Sequence, residues 1–127
     1  MKIFGIYQAN GGLIGEISYI FRKLVLNDNC SLCKVTHRGL TRRPEWKDYL
    51  NTLNVHFELL HINEQPSEMA IYTKGHTPCI IADTGSNYVT IMDSEIIDGC
   101  NGSVKKFSTI LDKSLKDLQN IYDKDKL

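Results

Sequence analysis

Cys30, Cys33 and His37 are the residues whose types and spacing best suit chemistry. Two thiolates and an imidazole are soft and borderline ligands for zinc or copper(I). The same two cysteines, two residues apart, also suit thiol–disulfide exchange, with Cys30 attacking and Cys33 resolving as the catalytic pair. The spacing predicts a short helix over residues 30–39, on which each residue advances ~100° and the three side chains share an arc of ~60°. A helix start beside Cys30 sets unpaired backbone N–H groups near its sulfur and lowers the thiol pKa, and Lys34 and Arg38 push the same way. A closed zinc site takes four ligands. The candidates for the fourth are Cys79, His76 and Cys100, with Cys79 first because it follows Pro78 at the start of a strand. No second Cys-x-x-Cys exists, which excludes a zinc ribbon. Against both chemistries stands the alternative that Cys33 and Val35 only fill the core.

The elements that must position these residues are legible from the period of the apolar residues. Residues 2–8 read as a buried strand ending at the turn Asn10-Gly11-Gly12. Leu13, Ile17, Ile20, Phe21, Leu24 and Val25 then predict a helix over 13–25. The short cysteine helix follows, capped by Asp28 or Asn29 and ended by Gly39. Pro44 opens a third helix that turns Trp46, Tyr49, Leu50 and Leu53 to one side. Residues 55–62 read as a strand with Val55, Phe57, Leu59 and Leu60 inward, and 63–75 as a polar loop with one helical turn. A hairpin pairs 79–83 with 87–92 around Thr84-Gly85-Ser86. Asn101-Gly102-Ser103 caps a last helix striped by Val104, Phe107, Ile110, Leu111, Leu115 and Leu118. The whole predicts one α/β domain over 1–127. Its mixed sheet has about four strands flanked by helices, a parallel crossover first and an antiparallel hairpin later.

This order resembles the thioredoxin fold. The resemblance is carried by the first strand–helix unit, the strand VHFELLHI, and Thr77-Pro78 immediately before a strand-turn-strand-helix ending. It implies a thioredoxin-like sheet, a cis proline at Pro78 beside the active site, and a helical insertion carrying the Cys-x-x-Cys-x-x-x-His segment. The chain departs from the family after the first strand. Where a family member carries its Cys-x-x-Cys, this chain has Asn10-Gly11-Gly12-Leu13, and its own pair lies between the first helix and the second main strand. The cysteine segment is also similar to a Cys-x-Leu-Cys-x-x-Thr-His segment of small uncharacterised bacterial proteins, a likeness that implies no activity.

Composition narrows the function further. Fifteen basic residues balance fifteen acidic ones, so no strong nucleic-acid signal is present. The local cluster Lys34, Arg38, Arg42 and Arg43 reads as a solvated connection. No apolar run approaches the ~18 residues of a membrane span, and the N-terminal apolar stretch is too short for a signal peptide. The expected setting is the cytoplasm, away from membranes, where four cysteines are reduced, reactive or metal-bound. Three tempting motifs fail. Asp83-Thr84-Gly85 is better explained as a hairpin turn than as an aspartic protease loop, which needs a second such aspartate. Gly5-Ile6-Tyr7 with Tyr19-Ile20 would need a strand where the period is helical. Asn10-Gly11-Gly12 lacks the full glycine pattern of a dinucleotide loop. The reading is therefore metal binding or thiol chemistry at Cys30, Cys33 and His37, with zinc or copper as the cofactor of the first. Its rival is a non-enzymatic interaction protein with structural cysteines. That protein would meet a protein or small-molecule partner through the Arg38–Arg43 stretch and a pocket near Pro78.

Overall fold

A computed structural model describes residues 1–8, 31–38 and 41–125. The helix expected over 13–25, its preceding glycine turn, Cys30 and Gly39 lie outside them. Six strands are described: β1 (Lys2–Ile6), β2 (His37–Arg38), β3 (Thr41–Arg42), β4 (His56–Leu60), β5 (Cys79–Asp83) and β6 (Tyr88–Met92). The helices are α1 (Ser31–Thr36), α2 (Pro44–Leu50), α3 (Ser67–Thr73), α4 (Ser94–Gly99) and α5 (Val104–Asp125). The main sheet runs β4-β1-β5-β6, and β2 and β3 form a separate two-stranded hairpin. Strand β1 pairs parallel with β4, placing Ile6 beside Leu60, and antiparallel with β5, placing Ile6 beside Cys79. The expected four-stranded mixed sheet flanked by helices is the architecture found.

The central position of β1 follows from its sequence. Side chains alternate across a strand, and apolar residues at 3, 4, 6 and 7 supply both faces. On the first face Ile3, Tyr7, Ile80, Ala82 and Met92 meet Leu32 and Val35 of α1, Trp46 and Tyr49 of α2, Ile97 of α4 and Phe107 and Leu111 of α5. On the second face Phe4, Ile6, Cys79 and Ile81 meet Met69 of α3. Gly5 permits the close approach of the first layer: a Cβ there would lie 2.8 Å from Leu59 Cδ2 and 3.2 Å from Ile80 Cδ1.

Two helices go beyond the sequence reading. The stretch expected as a polar loop contains α3, which buries Met69 and Thr73, four residues apart on one side. Helix α4 is capped by Asp93, whose Oδ1 accepts from Ile96 N at 2.9 Å, and it buries Ile97. Both are too short to be stable alone and depend on that tertiary burial. The Thr84-Gly85-Ser86 turn is as expected: Asp83 Oδ1 accepts from Gly85 N at 2.9 Å, and Gly85 has φ 95°. That bond accounts for Asp83 as a turn residue.

Trp46 is the aromatic centre of the first layer, fully buried, with ring centroids 5.5 Å from Phe57 and 5.4 Å from Phe107. Replacing it by alanine removes those contacts and leaves a cavity. Trp46→Ala should lower unfolding free energy by ~3–5 kcal/mol, measured by urea unfolding followed by circular dichroism. A loss within the range of a surface substitution would contradict this packing.

Candidate functional site

Helix α1 brings the cysteine segment onto the first face. It buries Leu32, Val35 and Thr36, at spacings of three and four that form one helical stripe. It ends at Thr36, one residue earlier than a shared helical face for Cys33 and His37 requires. His37 instead begins β2 and pairs with Arg42. The cause is competition for backbone bonds: Arg43 N donates to the Thr36 carbonyl at 2.9 Å, and the hairpin takes the partners that a further helical turn needs. The helix expected over 30–39 is thus corrected at its end, where a strand beginning at His37 follows directly. Cys30 lies outside the described residues, as do the side chains of Cys33 and His37.

The far end of α1 is tied to the sheet by a buried bond. Thr36 Oγ1 and the Tyr7 hydroxyl are 2.9 Å apart, with the Thr36 side chain fully enclosed. Tyr7 stands one residue past β1, and its backbone N donates to the Leu60 carbonyl at 2.9 Å. His61 stands one residue past β4, its ring tilted against that of Tyr7 with centroids 5.3 Å apart. Glu64 closes the group. Its Oε1 accepts from His61 N at 2.7 Å and also bonds His61 Nδ1. The His61 backbone N–H is the main reason the Glu64 carboxyl is held below its usual range, against an opposing effect of burial. An ionised carboxylate only accepts, so His61 Nδ1 is the donor in that bond.

Tyr7, Thr36, His61 and Glu64 therefore gather at the carboxyl ends of the two parallel strands, where α/β sheets commonly bind ligands. Thr77–Pro78, a cis peptide as expected, precedes β5 at this same end, since Cys79 pairs with Ile6. In the sequence, His61 falls inside the strand expected over 55–62 and carries no assigned role. The available signal was positional: Tyr7 and His61 each follow a strand end in the same parallel register.

The remaining ligand candidates do not join this group. Cys79 packs among Phe4, Ile6, Met69 and Ile81, on the opposite face of the sheet from Leu32 and Val35. Strand alternation forces that placement, because Ile80 takes the first face. Burial pushes the Cys79 thiol up to about 11. Cys100 is on the first face, fully buried, and its Sγ–H donates to the Ile96 carbonyl at 3.5 Å. Burial also raises its pKa, with Lys106 opposing. His76 is exposed and lines a cavity of about 350 Å³ with Tyr72 and Thr90. Among the described residues no three His, Cys, Asp or Glu side chains are grouped to hold a metal ion. No helix among them is long and apolar enough to cross a membrane.

No protein-family model, curated protein or solved structure matches the chain.

A neutral, enclosed thiol reacts slowly, because the thiolate is the nucleophile. Brief alkylation of the folded protein at mildly alkaline pH should therefore spare Cys79 and Cys100, and denaturant should expose both. Peptide mass mapping reads the outcome. Labelling of Cys79 at its denatured-state rate would contradict the burial described.

Proposed function

We propose that Cys30, Cys33 and His37 form a metal-binding centre for zinc or copper(I), presented at the carboxyl end of the parallel strands. The observation that carries the reading is the state of the other two thiols. Cys79 and Cys100 are enclosed, and burial raises the pKa of both thiols, which leaves soft-ligand chemistry to the Cys30–His37 segment. The anchoring of Thr36 to Tyr7 supports it, because the residue before His37 is fixed against the sheet. For a fourth ligand, His61 replaces Cys79 in this proposal. Its Nδ1 is held by the Glu64 carboxylate, an arrangement that orients ligating imidazoles and raises their basicity.

The strand order β4-β1-β5-β6, with a cis Thr77–Pro78 before β5, supports a relationship to thioredoxin-like proteins. It favours thiol–disulfide exchange between Cys30 and Cys33 as the second reading. A third, the interaction protein, is favoured by a groove of about 650 Å³ between α2 and α5, lined in part by Arg43, Glu45, Asp48, Ser103 and Lys105.

Elemental analysis of protein purified without chelators, paired with a free-thiol count, separates these readings. For a metal centre, Cys30→Ser and His37→Ala should each lower metal content, and His61→Ala should weaken retention against a chelator. Binding should also fade below about pH 6, where protons compete for imidazole and thiolate. For a redox pair, His37→Ala should leave disulfide formation intact, and Cys33→Ser should trap a mixed disulfide at Cys30. Unchanged metal content together with ordinary thiol reactivity would remove both and leave the groove-binding protein.

A further inference from the structure

The outer edge of β4 has a self-complementary pattern. β4 ends the sheet, and among the described residues no strand pairs with its outer side. Leu60 aims its carbonyl at Tyr7 N. Residues alternate in direction along a strand, so His56, Glu58 and Leu60 pair inward with β1, while Phe57 and Leu59 aim their N–H and C=O groups outward. The opposite edge differs. The β5–β6 pairing shifts register at Ile80/Ile81, leaving Ile91 of β6 as the extra residue, and Tyr72 reaches β6 with its hydroxyl 2.8 Å from Thr90 Oγ1. Bulges and covering side chains are ways in which sheet edges are protected from pairing. β4 keeps unbroken register with β1 over five residues, with no proline and no lysine.

The geometry points to β4 as the pairing edge for a second copy of this chain, antiparallel and two-fold about Phe57. In that register Phe57 faces Phe57 of the second copy as a hydrogen-bonded pair, exchanging both outward backbone bonds. His56 then faces Glu58 of the second copy, and Glu58 faces its His56. These are non-hydrogen-bonded pairs, in which side chains approach most closely. Val55 faces Leu59 of the second copy, extending the half-buried apolar row Val55, Phe57 and Leu59 across the axis. Neighbouring two-fold registers lack this match. Rotation about Glu58 opposes two carboxylates, and rotation about His56 opposes two imidazoles. The side chains are free to make the exchange: His56 and Glu58 are about half exposed, and their contact within one chain is a long 3.4 Å. The product is one sheet continuous through both copies.

Sedimentation equilibrium on the full chain tests the proposal. The wild type should show a concentration-dependent dimer. Glu58→Lys should weaken it by about tenfold, since two imidazole–carboxylate pairs are lost and lysine faces imidazole. The double variant His56→Glu with Glu58→Lys restores opposite charges across the axis and should recover dimer formation. Circular dichroism confirms that both exposed-site variants stay folded. A wild type that remains monomeric at millimolar concentration would overturn the proposal. So would a Glu58→Lys dimer as tight as the wild type, or a charge-swapped protein that stays as weak as Glu58→Lys.

Discussion

Burial of β1 on both faces is the constraint on which the rest of the molecule depends. Ile3 and Ile6 point to opposite sides of the sheet and are both fully enclosed, so each side needs its own covering layer. The parallel partner β4 can be reached only by a long crossover, and that crossover contains α1, the β2–β3 hairpin and α2. The connection from β4 to the antiparallel partner β5 carries α3, which covers the second face, and the hairpin to β6 completes the sheet. The segment carrying Cys30, Cys33 and His37 therefore lies within the connection that the parallel pair requires.

The same constraint sorts the cysteines. Alternation along β5 sends Cys79 to the side covered by α3, away from α1, although Cys79 is adjacent to Pro78 and near the strand ends. Cys100 follows α4 and is enclosed by the layer that also buries Leu32 and Val35. Proximity in sequence to a suggestive proline, or to a helix start, did not make either thiol available. What converges at the carboxyl end is polar and oxygen- or nitrogen-bearing: Thr36, Tyr7, His61 and Glu64, each held by a bond or ring contact to the next.

Much of this architecture was legible in the sequence where one strong period covered a whole element. The apolar run of residues 2–8, the stripe of α5 and the proline start of α2 each needed only local information. Helix α3 was legible only as one helical turn within a loop, and α4 not at all, because each rests on one or two buried residues, such as Met69 or Ile97, whose burial is decided elsewhere. The early end of α1 was hidden for a related reason. The segment has good helical spacing, but Arg43, seven residues on, supplies the N–H that claims the Thr36 carbonyl. His61 could not be weighed until the register of β4 against β1 placed it beside Tyr7. The resemblance in element order to thioredoxin-like proteins pointed to the sheet that was found, yet the cysteine pair sits in a different element from that family's.

The Tyr7–Thr36 hydrogen bond holds the end of α1, the residue before His37, to the end of the sheet. A double-mutant cycle of Tyr7→Phe and Thr36→Val, read by urea unfolding and by zinc affinity, probes that anchor. A coupling of ~1–2 kcal/mol between the two sites is expected, with weaker zinc binding in Tyr7→Phe. Additive effects with zinc affinity unchanged would contradict it.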